Sequence, residues 1–184
     1  MKYLGQTCVG LIFLFLALPT LAAESRHQFY ADSGFNYIDN SNSTESAWTT
    51  TLGYSYFLSP FVGVDFGYTD TMNDGATFYD KNGDSQQVKY RSFFAGATIE
   101  QPINSFTSVY ARGGVGQTNI EETNTSVVPE TSQDHSGINP YIGIGAKIQP
   151  MYVEKLELSV ELKYQDLQNE YSATSFTLGA KFSL

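Results

Sequence analysis

The chain has 184 residues, with 10 Lys and Arg against 19 Asp and Glu, a formal charge of −9 and 15% aromatic residues. That length suits one domain. The acid excess excludes a nucleic-acid binder that works through a basic patch, and the aromatic content excludes a disordered chain.

Residues 1–23 read as an address rather than as part of a fold. Lys2 gives a short positive start, Cys8 to Leu18 is apolar, Pro19 breaks the run, and Thr20-Leu21-Ala22-Ala23 offers small residues for cleavage. An apolar run of 11 residues is too short for a membrane helix, which needs about 20, and the arrangement is that of a secretory signal peptide. Cys8 is the only cysteine, so the mature chain, residues 24–184, carries no thiol for a disulfide, a nucleophile or a metal. Loss of Lys2 takes the charge from −9 to −10.

Eight segments then alternate between apolar and small or polar residues, the period of a strand with two unlike faces. Phe29, Ala31, Phe35 and Tyr37 alternate with Tyr30, Asp32, Gly34 and Asn36. Trp48, Leu52, Tyr54, Tyr56 and Leu58 form the next apolar face, and Val62, Val64, Phe66 and Tyr68 the third. The segment 87–99 is the fourth. Its register stays open, because Lys89 and Arg91 share the parity of Phe93, Ala95, Ala97 and Ile99. Val109, Ala111 and Val115 follow, then Ile142, Ile144, Ala146 and Ile148, then Leu156 to Tyr164, and finally Phe176, Leu178, Ala180, Phe182 and Leu184. Lengths of about 10–13 residues fit a bilayer-crossing strand better than the usual 5–6.

Three connections are tight and carry proline, at Pro60, Pro102 and Pro150, and four are longer and polar, at about 39–46, 70–87, 119–138 and 166–172. Eight antiparallel strands give this alternation when both termini lie at the short-turn end. The expected fold is therefore all-β, an eight-stranded antiparallel up-and-down transmembrane β-barrel.

A secreted, lipocalin-like barrel would also alternate, with the apolar face inward. Three features favour the apolar face outward. The polar face is rich in glycine and small residues, as the narrow interior of eight strands requires. Its charges cancel: Asp32, Asp65, Glu157 and Glu161 against Arg112, Lys147, Lys163 and Lys181, and an enclosed charge needs a partner. Aromatics gather near the strand ends, as in interfacial girdles. Arg112 is expected to pair with Asp65 or Glu161 as part of a structural ion-pair network.

The stretches Leu52 to Tyr68 (LGYSYFLSPFVGVDFGY) and Val109 to Gly116 (VYARGGVG), with the alternating C-terminal strand, resemble the small outer-membrane β-barrel family, the OmpA-type transmembrane-domain and OmpX/Ail-like group. The resemblance covers residues 27–184. It implies a bacterial outer-membrane protein exported through the periplasm, folded by the barrel-assembly machinery, surrounded by outer-membrane lipid and lipopolysaccharide, and monomeric. The family usually ends in an aromatic residue, whereas this chain ends Phe182-Ser183-Leu184. No peptidoglycan-binding domain is expected after the eighth strand.

Candidate chemistry is sparse. Some barrels of this size modify lipid A with a histidine and a serine near the outer rim. Here His27 falls at the periplasmic end, and Asp134, His135 and Ser136 are consecutive, an order in which neighbouring side chains rarely converge. Asp80-Lys81-Asn82-Gly83-Asp84 begins like a calcium loop, but Ser85 and Arg91 stand where the pattern wants glycine and glutamate. The four long loops hold twelve acids and one base, Lys81, with Phe78, Tyr79, Val127 and Val128 as exposed apolar candidates for a surface protein partner. The reading is a non-enzymatic outer-membrane barrel with a structural or surface-interaction role and no cofactor. A lipid A-modifying enzyme and a narrow small-solute channel are the alternatives.

Overall fold

The computed structural model describes residues 27–184 apart from 41–42, 73–74, 80–84, 125–130, 151–152, 154 and 169. The expected signal peptide lies outside the described residues. The strands are β1 (His27–Asp39), β2 (Thr44–Phe57), β3 (Val62–Thr71), β4 (Ala76–Tyr79), β5 (Ser85–Asn104), β6 (Thr107–Asn124), β7 (Thr131–Ile148), β8 (Leu156–Asp166) and β9 (Ser172–Ser183). The sheet runs β3-β2-β1-β9-β8-β7-β6-β5-β4, and β3 also pairs with β5. That last pairing closes an eight-stranded antiparallel up-and-down barrel. The ninth segment, β4, continues β3 along the same neighbour: Val62 to Asp70 face Ile99 to Arg91, and Ala76 to Tyr79 face Val88 to Ser85. Gly75 breaks the line at φ +70°, where a Cβ would strike the backbone of Val88, so only glycine fits that step.

The alternation read in the sequence is the alternation of burial. β1 is exposed and buried at strict period two, and the exposed set is the apolar one. Phe29, Phe35, Leu52, Phe66, Phe93, Val115, Ile144, Leu162 and Leu178 all point outward and are largely exposed. The inner face carries Asn36, Thr51, Ser55, Thr98, Ser159, Gln165 and Ser175. Apolar outside and polar inside is stable only where lipid replaces water around the wall, and closure leaves no unpaired backbone in the hydrocarbon.

The three proline turns, the start of β1 and the end of β9 share one end. Ser59 Oγ accepts from the amides of Phe61 and Val62, at 3.3 and 3.1 Å, shaping the turn at Pro60. Pro102 sits beside a register shift that ends β5. The Leu184 amide donates to the His27 carbonyl at 2.9 Å, which ties the last residue to the start of β1.

At the opposite end the strands outrun the expected ones. Segments 70–87 and 119–138, read as loops, are largely ladder: β5 starts at Ser85 and pairs with β6 up to Asn124, which pairs with Thr131 of β7. Their outer face is polar because it stands above the apolar belt, so the two-faced pattern fades there. The β5 register also resolves without a bulge in 87–99: Lys89 and Arg91 do share the outward face with Phe93, but higher up, in water. Inside this extension Ile38, Ala47, Ala76, Phe78, Val88, Tyr90, Ile120, Leu167, Tyr171 and Ala173 pack into an apolar cluster. Phe78, expected to be exposed, is 5% exposed in that cluster, whereas its neighbour Tyr79 is 70% exposed. Val127 and Val128 lie outside the described residues.

Candidate functional site

The barrel lumen is filled by charged groups drawn from seven strands. Arg112 of β6 lies across its centre. Its Nη2 and Nε donate to Glu161 Oε1 of β8 at 2.6 and 3.0 Å, its Nη1 lies 3.4 Å from Asp65 Oδ2 of β3, and its Nη2 lies 3.7 Å from Asp32 Oδ2 of β1. Arg112 also donates to Tyr30 Oη at 2.5 Å. The carboxylates have further donors. Tyr30 and Ser55 donate to Asp65 Oδ1 at 2.9 and 2.8 Å, Tyr110 to Glu161 Oε2 at 2.9 Å, and Ser159 to Asp32 Oδ1 at 3.2 Å. A buried ion set survives only when its remaining lone pairs are met in this way.

The two nearby lysines are held mainly by aromatic faces and a hydroxyl. Lys181 Nζ lies 3.7 Å from the centroid of the Tyr110 ring, and Lys163 Nζ donates to Thr69 Oγ1 at 3.1 Å with the Phe94 ring at 5.5 Å. A desolvated cation over an aromatic face is attracted by the ring quadrupole. Glycines make room for these rings: a Cβ on Gly53 would overlap the Tyr30 ring, and one on Gly145 the Tyr110 ring.

Nearer the turn end, Lys147 Nζ lies 2.7 Å from Glu100 Oε2 and 2.8 Å from Glu157 Oε2, and Gln28 Nε2 donates to Glu157 at 2.7 Å. Of the eight interior charges read from the sequence, seven are buried and Glu157 is half-buried. Glu100 was missed, because it follows from the β5 register. Once Phe94 and Thr98 are known to point inward, so does Glu100. With Glu100, the described charges around Arg112 and Lys147 are five acids against four bases, not four against four.

The hydrolase-like triplet does not assemble. On β7, Asp134 and Ser136 are exposed while His135 turns to the other face, 4.0 Å from Glu122, as adjacent strand residues must. Residues 80–84, the calcium-like loop, lie outside the described residues. Among the described residues no cluster of three His, Cys, Asp or Glu side chains could hold a metal.

Residues 9–183 match the family model described as Outer membrane protein beta-barrel domain. The chain belongs to that family. Solved structures of the family's fold type agree. The chain is similar to the Neisserial surface protein A, at 11% identity and a TM-score of 0.69, covering 87% of this chain and 98% of that one. It is similar to Ail, the attachment invasion locus protein of Yersinia pestis, at 17% identity and 0.60, covering 88% and 100%. Ail has also been solved in complex with the heparin analogue sucrose octasulfate. The N-terminal β-barrel domain of Pseudomonas aeruginosa OprF follows at 15% and 0.57, covering 87% and 98%. At these identities the likeness concerns the fold. No curated protein sequence matches the chain.

Proposed function

We propose that this member of the outer-membrane β-barrel family is a non-enzymatic integral protein of the outer membrane whose working surface is the sheet raised above the bilayer on the cell-exterior side. Its surroundings on this reading are outer-membrane lipid and lipopolysaccharide, it is folded by the barrel-assembly machinery, and it is a monomer. The observation that carries the proposal is the upward continuation of β4 to β7 beyond the apolar belt. A purely structural barrel needs strands that cross the bilayer and little more. Here β5, β6 and β7 run to 20, 18 and 18 residues, about twice the crossing length. The Arg112 network speaks against a solute path, and the divergence of His135 from Ser136 speaks against lipid A chemistry.

The test is expression of the full chain, isolation of outer membranes, and electrophoresis of boiled and unboiled samples. The expected result is a mobility shift on heating within the outer-membrane fraction, with lipid A of unchanged mass. A soluble periplasmic protein with no shift would overturn the membrane reading, and altered lipid A would overturn the non-enzymatic one.

A further inference from the structure

On the outward face of the raised sheet, β5, β6 and β7 lie side by side and their residues stand in rungs. Lys89, Glu121 and Asp134 form one rung, Arg91, Asn119 and Ser136 the next below, and Phe93, Gln117 and Ile138 the third. The upper two rungs line a cavity of about 420 Å³. Its charges are sorted, with the bases on β5 and the acids on β6 and β7. Among the described residues no ion pair joins Lys89 to Glu121, although the two stand directly opposite. Glu121 and Asp134 also stand directly opposite each other, and like charges so placed destabilise a sheet. The bases are held to their own side. The Lys89 stem crosses Gly75, where a Cβ would come within 2.7 Å of its Cγ, and Arg91 Nε lies 3.4 Å from Asp70 of β3.

The third rung is the top of the apolar belt. Phe93 is 65% and Ile138 73% exposed, and Tyr68 leans on Phe93 with ring centroids 4.6 Å apart. Below it a groove of about 690 Å³ runs over Ala95, the small residue between Phe66 of β3 and Val115 of β6. A cavity of mixed charge therefore opens directly above a groove suited to hydrocarbon.

We propose that cavity and groove together hold one glycerophospholipid by a phosphoethanolamine headgroup. The inference rests on the outer-membrane reading and goes beyond it by naming a lipid that the wall selects. The phosphate lies between Lys89 and Arg91, the ammonium between Glu121 and Asp134, and an acyl chain over Ala95. Paired strands about 4.8 Å apart put the acids one and two strands from the bases. Side chains of this length can close across that span onto a phosphate and an ammonium two carbons apart. The ammonium gives both carboxylates charge-assisted hydrogen bonds and relieves their repulsion. A choline headgroup has no N–H to give, and a glycerol headgroup has no cation.

The test uses the full chain folded in non-ionic detergent micelles. It is titrated with phosphatidylethanolamine, phosphatidylcholine and phosphatidylglycerol of identical acyl chains, and bound lipid is counted by native mass spectrometry. Phosphatidylethanolamine should saturate at one molecule per chain and bind about tenfold tighter than the other two, as charge-assisted bonds to the ammonium require. Arg91→Ala removes an exposed side chain and should weaken it about tenfold. Glu121→Gln with Asp134→Asn should reduce it to the affinity of phosphatidylcholine. Ala95→Leu fills the groove and should weaken it several-fold. Equal affinity for the three lipids, which is annular contact only, or a preference that survives the double substitution would overturn the proposal. Soluble glycerophosphoethanolamine that binds as tightly as the lipid would overturn the lipid as occupant. The heating shift of the same samples separates the failures. A shift without lipid preference overturns this proposal alone, whereas no shift overturns the barrel reading and this proposal with it.

Discussion

Arg112 sits where Glu161, Asp65 and Asp32 converge, with its own side chain 3% exposed. Replacing it with alanine would leave three carboxylates in a closed lumen without their shared cation, and breaking a buried ion set typically costs about 3–5 kcal/mol. Arg112→Ala is expected to lower the urea midpoint of unfolding in micelles and the temperature of the gel shift. Arg112→Lys should recover only part of this, since an ammonium cannot reproduce the guanidinium fork that meets Glu161 while also reaching Tyr30. Tyr110→Phe should cost less, about 1.5–3 kcal/mol, for one hydrogen bond to the buried Glu161 carboxylate. Unchanged midpoints in Arg112→Ala would show that the network does not hold the barrel.

At the level of the strand, height above or within the bilayer decides what a substitution does. Ala97 of β5 faces outward within the apolar belt, so Ala97→Arg should cost about 2–4 kcal/mol when folding into vesicles is followed by urea titration. Arg91→Ala, six residues up the same face but above the belt, should be close to neutral, because its pair with Asp70 is solvent-exposed. The apolar cluster inside the extension gives a third contrast. Phe78→Ala removes a ring packed 5.9 Å from that of Tyr171, and core Phe→Ala changes cost about 3–5 kcal/mol. Limited proteolysis should then open the extension while the membrane barrel still shows its gel shift.

The same distinction explains what could be read from the chain. In β1 Phe29, Ala31, Phe35 and Tyr37 face out while Gln28, Asp32, Gly34 and Asn36 face in, and in β9 Phe176, Leu178, Ala180 and Phe182 face out while Ser175, Thr177, Gly179 and Lys181 face in, so strand, face and register were all legible. In 119–138, residues such as Glu121 and Asp134 face out while Glu122 and His135 face in. Both faces are polar there because both stand above lipid, and no period survives to be read. Arg112 and its acids were legible because a charge on a polar face of a closed barrel must be matched. Glu100 was not, because Lys89 and Arg91 had clouded the parity of its strand. The apolar cluster around Tyr90 was hidden for a related reason: its members come from six strands and the β8–β9 turn and form no run in any of them.

For the whole molecule, the distribution of charge sets what it can approach. Acids dominate the raised sheet, and the bases of the lumen are enclosed. Sucrose octasulfate, which has been solved bound to Ail, should not bind here at physiological salt, because a polyanion would face Asp134, Glu121, Asp166 and Glu170. Isothermal titration checks this, and a measurable heat of saturable binding would contradict it. The filled lumen likewise predicts no unitary conductance in planar bilayers, since eight strands leave room only for side chains.

The central claim is that the apolar face points outward into lipid, and the chain carries one reporter of it. Trp48 is the only tryptophan. It lies on the outer wall of β2, edge-on to Phe35 at 4.9 Å, with its indole N–H on Ser33 Oγ at 2.7 Å. In vesicles made with brominated lipids, its emission should be blue-shifted and quenched, most strongly by bromine placed near the headgroups, as an interfacial girdle residue requires. Emission that ignores the bromolipids and yields to aqueous iodide would put Trp48 in water and contradict the account.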